Sequence, residues 1–180
     1  MRKWICVVLA GALLACLTGC TVRDNGYIGI SVDEAGHLLA VLAWCGPPPD
    51  GVLLFHEQAT AQAKPTTGNP DDSYIDDATY HAPVLSGQSA SFRLDAPVGG
   101  WTVTPKPPTL DPAITYIAFG FTNDNTSGLN RMTFKIDDAA RVNPGQVLAY
   151  GWDDERQQHI DGVISLKDFE RLGQASVNCP

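Results

Sequence analysis

Apolar and polar residues alternate along this chain in short runs of period two, and Gly, Pro and Asp separate one run from the next. That rhythm predicts β-strands. Residues 27–32 and 38–45 flank Asp33-Glu34-Ala35-Gly36, a hairpin-like connection with glycine where a positive φ is wanted. Residues 38–44 are apolar on both alternating faces and predict a central strand. Gly46-Pro47-Pro48-Pro49-Asp50-Gly51 forces a loop, and residues 52–57 make the next strand. The stretch 58–82 is polar with little periodicity and leaves room for one short edge strand at most. Short strands are expected at 91–94 and 101–104, around Pro97-Val98-Gly99-Gly100.

The clearest alternation runs over 115–122, with Ile117, Phe119 and Phe121 on the face expected to be buried. Met132, Phe134 and Ile136 repeat that pattern beyond a turn at 123–128, so the two runs should pair. One helical turn is expected over 137–142, ended by Asn143-Pro144-Gly145, and late strands over 146–150 and 160–165. Ser165 then caps a short helix, with Gly173 at its C-terminal end. Many short strands with turns between them predict an all-β sandwich.

The first twenty residues break this pattern. Arg2 and Lys3 precede an uncharged apolar run over 4–17, which Leu17-Thr18-Gly19-Cys20 closes. The run is shorter than the roughly 20 apolar residues of a membrane-spanning helix and reads as an export signal. Its last four residues resemble the bacterial lipobox: Leu, a small residue, Gly, then the acceptor cysteine. The resemblance implies that the Cys20 thiol receives diacylglycerol and that cleavage before it makes Cys20 the new N-terminus. The expected location is the outer face of a bacterial cell membrane, held there through lipid. The expected layout is a signal peptide over 1–19, a lipid-anchored tether over 20–26 and a single sandwich domain over 27–180. Residues 136–180 form an extension of that sandwich.

Charge and cysteine content change with processing. Loss of Arg2 and Lys3 moves the formal charge from −8 to −10, and no basic run remains. An acidic chain of this kind argues against nucleic acid and against electrostatic attachment to anionic lipid, so the acyl chains must anchor it. Cys6 and Cys16 leave with the signal. With Cys20 acylated, Cys45 and Cys179 are the two thiols left, and outside the cytoplasm such a pair oxidises to a disulfide. A monomer is expected.

Leu110-Asp111-Pro112-Ala113-Ile114-Thr115-Tyr116 resembles the approach to the sixth strand of fibronectin type III domains. There a tyrosine hydroxyl bonds back to the backbone and fixes the corner between sheets. Trp44, followed by Pro47, resembles the second-strand tryptophan of the same domains. The likeness covers 27–136 and implies an Ig/fibronectin-III-like β-sandwich. The immunoglobulin Cys…Trp…Cys spacing is absent, because Trp44 adjoins Cys45. The segment after Ile136 has no counterpart in a seven-strand module and is expected to add strands and one short helix. Pro144-Gly145-Gln146-Val147-Leu148, the Ser165-Leu166…Phe169 helix and the terminal cysteine are similar to secreted lipoproteins of actinobacteria, which implies location and fold style but no activity.

Motifs for chemistry are sparse. His37, His56, His81 and His159 show no i, i+4 pair and no cysteine pair at zinc-ligand spacing. His56-Glu57 begins like a zinc-protease motif, but Thr60 stands where its second histidine belongs. Asn123–Gly128 imitates the start of a calcium loop whose twelfth position is Phe134 rather than Glu, and a hairpin turn explains the same residues. Asp71, Asp72, Asp76 and Asp77 could share a cation if their loop folded back, against the plainer reading of a solvated acidic loop. No nucleophile elbow, phosphate loop or cofactor motif is present. Trp101 and Trp152 are candidate anchors for a protein or glycan partner, against the reading that they plug the sandwich edge. The expectation is a non-enzymatic binding module of the cell envelope. The alternatives are a carrier of a small ligand and a hydrolase that uses a carboxylate pair.

Overall fold

The computed structural model describes residues 22–58, 73–175 and 179. Cys20, the signal segment and Asp71 and Asp72 lie outside these residues. The strands are β1 (Arg23–Val32), β2 (Leu38–Trp44), β3 (Gly51–Glu57), β4 (Tyr74–His81), β5 (Ser89–Arg93) and β6 (Thr102–Thr104). They continue with β7 (Tyr116–Phe121), β8 (Ser127–Asn130), β9 (Met132–Phe134), β10 (Gln146–Asp153) and β11 (Gln158–Ser165). A 3₁₀ turn (Ile136–Arg141) precedes β10, and helix α1 (Leu166–Gln174) follows β11.

One layer runs β5-β2-β1-β10-β11 and the other β6-β4-β3-β7, with β8 and β9 along the far edge of β7. The start of β1 pairs in parallel with β8, Arg23 opposite Ser127, and so closes the two layers into one curled sheet. Between them lies the main core of Trp44, Leu42, Ile28, Ile30, Leu54, Tyr80, Leu129 and Phe134, each under 2% exposed. This is the all-β sandwich that the strand rhythm predicts, and β10, β11 and α1 are its extension. The extension covers the outer face of β2, β1 and β10, where Phe169 and Leu172 of α1 pack on Tyr27, Val41, Ala43 and Val147. The Tyr116 hydroxyl accepts from the Asp111 backbone N–H at 2.8 Å, which is the corner contact expected of that tyrosine.

Three expectations need correction. The tether read over 20–26 is too long, because β1 already begins at Arg23. Asn25 is buried, donating its side-chain amide to Pro47 O and accepting the Cys45 backbone N–H at 2.8 Å. The stretch 58–82 holds an eight-residue strand, β4, that pairs on both sides, with β3 and β6. Gly173 stands at the C-terminal end of α1, as expected, one residue before its last. An added Cβ there would collide with the Ala43 carbonyl, so glycine is needed for close helix–sheet approach.

The third correction concerns β7, whose faces are inverted. Tyr116, Ala118 and Gly120 point into the core, and Ile117, Phe119 and Phe121 form a half-buried outer face. Register explains this: Tyr116 opposes Phe134 and Ala118 opposes Met132, and directly opposed residues share a face. Leu129 fills the space over Gly120, where a Cβ would lie 2.6 Å from its Cγ. The bulky residues therefore face outward, beside Leu53 and Phe55, with the Arg131 guanidinium 5.7 Å from the Phe119 ring centroid.

Registers also sort the loops between the two ends of the sandwich. Asp24 opposes Gly128, Gly128 opposes Phe121 and Phe121 opposes Gly51, so these residues stand level at the N-terminal end of β1. Continuing the Ile30↔Leu148 register brings Asp153 level with Asn25, and Tyr27 donates its hydroxyl to Trp152 O. Loops 46–50, 123–126 and 154–157 therefore gather at one end. Opposite lie the 33–37 turn and the level formed by Ile75, His56, Tyr116 and Phe134.

Candidate functional site

A cleft of about 610 Å³ opens at the far end from Arg23, between the ends of β3, β4, β7 and β9 and the loop that leads into β7. His56, Glu57, Ile75, Ile114, Ile117 and Thr133 are among the residues that line it. His56 is the last β3 residue paired with β7, opposite Tyr116, and its ring lies edge-on to that of Tyr116 with centroids 5.9 Å apart. Its Nδ1 donates to Asp77 Oδ2 at 2.7 Å, and both side chains are mostly shielded, 15% and 17% exposed.

Asp77 reaches the histidine because β4 shifts register there. Leu54 opposes Ala78 and Phe55 opposes Asp76, so Asp77 is the extra residue of a bulge, a device that re-aims a side chain. A carboxylate only accepts, so the bond fixes the proton on Nδ1 and orients the ring. Burial raises the Tyr116 hydroxyl above its ordinary value, offset by the Asp111 N–H and reinforced by the charge of Asp77. The arrangement is one oriented imidazole and one exposed carboxylate, Glu57, over a floor of aliphatic side chains.

Other candidates fall elsewhere. Cys45 and Cys179 form the expected disulfide, with Cα atoms 5.5 Å apart, and it ties the chain's C-terminal segment to the N-terminal end of the sandwich. Trp101 is no partner anchor: it is 7% exposed and stacks on Phe92 with centroids 4.1 Å apart. Trp152 is 37% exposed and packs edge-on against His159 on β11, away from the cleft. Of the acidic residues, Asp76 is exposed on β4 and Asp77 is engaged by His56, so these two do not form a joint cation site. Among the described residues no group of three or more His, Cys, Asp or Glu side chains could hold a metal ion.

A second acidic residue is buried for structural reasons. Asp153, 1% exposed, accepts from Arg171 of α1 at 2.6 Å and from the Arg156 backbone N–H at 3.1 Å. The Arg171 hydrogen bond holds its carboxyl below the ordinary carboxylate range despite burial. This contact clamps the β10–β11 hairpin to the helix.

Sequence reasoning missed the His56–Asp77 pair. The partners are 21 residues apart, and the bulge that joins them has no local signature. The chain matches no protein-family model, no curated protein and no solved structure.

Proposed function

We propose that the protein is a lipid-anchored lipoprotein of the bacterial cell envelope that acts as a non-enzymatic binding module. Acyl chains on Cys20 hold it to the outer face of the membrane, and the His56 cleft is its binding end. The observation that carries this reading is the position of the two features on the sandwich. β1 begins at Arg23, so Thr21 and Val22 alone separate the acylated cysteine from the first strand. A link that short spans at most about 10 Å, so the N-terminal end of β1 lies against the bilayer. The cleft is at the opposite end: His56 stands five residues along β3 from Gly51, which is level with Asp24, and at about 3.3 Å per residue this carries the cleft roughly 20 Å outward.

Lipid attachment is tested by metabolic labelling with a fatty-acid analogue. The wild type takes the label and fractionates with membranes, and Cys20→Ala does neither. Equal labelling of the two proteins contradicts the anchor.

A further inference from the structure

Among the described residues the two most exposed large apolar side chains are Val84, which is fully exposed, and Val98, 66% exposed. They stand in different loops, and the fold brings those loops together at the end of the sandwich where β1 begins. Asn25 of β1 donates its side-chain amide to Pro47 O. The Ala82 backbone N–H donates to Asp50 O at 2.8 Å, and the Trp44 N–H to Gln88 O at 3.0 Å. Loop 82–88 therefore lies beside loop 46–50, which is tied to the first residues of β1. The 97–100 turn, closed by the Trp101 N–H on Val98 O, rests on loop 82–88. A Cβ added at Gly100 would come within 3.0 Å of the Pro83 ring.

Charge divides this end of the sandwich in two. The chain has twenty Asp and Glu residues against twelve Lys and Arg, yet residues 82–92 and 96–105 hold no charged side chain. Loops 123–126 and 154–157, at the same end, carry Asp124, Asp154, Glu155 and Arg156. Exposed apolar patches mark protein or membrane contacts. Apart from Ser86 and Gln88, the 82–88 loop and the 97–100 turn present no polar side chain. Such a surface offers no directional bonds to a specific partner and has the chemistry of a lipid contact.

We propose that Val84 and Val98 enter the boundary between head groups and acyl chains of the membrane that holds Cys20. The domain leans on these two loops and keeps the acidic loops in water, because stripping water from a carboxylate costs far more than an apolar contact returns. This rests on the lipid anchor at Cys20. Thr21 and Val22 form the whole link to β1, so the anchor keeps the patch within reach of the bilayer but leaves the domain free to swivel. The two valines remove that freedom.

The test places the acylated full-length protein in phosphatidylcholine nanodiscs, labels the Ile and Val methyl groups, and records spectra with and without lipid that carries a nitroxide high on the acyl chain. Val84 and Val98 are assigned by the loss of their signals in Val84→Thr and Val98→Thr. At an interfacial depth of about 5–10 Å, both signals weaken at least about threefold more than that of Ile75, which is exposed at the far end. Val22, two residues after Cys20, reads the anchor itself and weakens as well. A weakened Val22 with Val84 and Val98 unchanged, the result if a protein partner covers the patch instead, overturns the proposal and leaves the anchor standing. An unchanged Val22 overturns both. Raising salt from about 0.1 M to about 1 M shortens the Debye length from about 10 Å to about 3 Å and leaves the effect at Val84 and Val98 intact. Loss of that effect in high salt shows an electrostatic contact and overturns the proposal.

Discussion

Replacing Cys45 and Cys179 together by alanine tests how the extension is held to the sandwich. The bond closes a loop of 134 residues. In the chain-entropy model a closure of that length stabilises by about 5 kcal/mol, all of it through the unfolded state. Cys45 is 3% exposed at the end of β2, so alanine there leaves a small void that adds a fraction of that figure. For a chain of this size a loss of about 5 kcal/mol lowers the melting temperature by about 10–20 °C. Urea unfolding followed through the emission of the buried Trp44 gives both stability and slope. The slope carries the mechanism: an unlinked chain exposes more surface when unfolded, so the m-value of the double variant must rise as its midpoint falls. A loss under about 1 kcal/mol with an unchanged slope refutes the argument that the bond works by restricting the unfolded chain.

Phe134→Ala empties a site 1% exposed in the main core and is expected to cost about 3–5 kcal/mol. Phe119→Ala on the outer face should cost only about 1 kcal/mol, including its contact with Arg131, and chemical denaturation that reverses this order contradicts the inverted β7. Gly173→Ala improves helix propensity by about 1 kcal/mol yet should destabilise, because the new methyl meets the Ala43 backbone; a higher melting temperature contradicts the packing of α1. The folded pKa of Asp153 is depressed, so its contribution is present above the unfolded value of about 3.9 and lost as pH falls through the folded one. Asp153→Asn should therefore cost about 2 kcal/mol at pH 7, and the gap to wild type should shrink below about pH 4 in melts across pH. A gap that is the same at pH 3 and pH 7 rules out the Arg171 clamp as its source.

What the sequence makes legible is what depends on local pattern or on compartment. Leu110 to Tyr116 carries a whole corner within seven residues, and the hydroxyl contact follows from it. The disulfide is legible because the proposed export would leave two thiols and an oxidising environment. β7 is misread because both of its faces are apolar, and alternation alone cannot say which face the core takes. Leu129 and the ring of Phe134, brought in by register, decide that small residues point inward. β4 is hidden because its first residues, Tyr74 to Asp76, are exposed and show no buried period. The cleft escapes for the same reason as the bulge at Asp77: its partners come from four strands and a loop, and their level is set by pairings no local spacing records.

The central claim is an orientation, with the N-terminal end of β1 at the bilayer and the cleft held away from it. A bioorthogonal fluorophore placed at Thr126 in one protein and at Thr115 in another, both exposed, reports this through energy transfer to an acceptor dye confined to the outer membrane surface of intact cells. The account predicts strong transfer from position 126 and weak transfer from position 115, a separation of roughly 25 Å along the strand direction. Equal transfer from the two positions, or stronger transfer from 115, contradicts it.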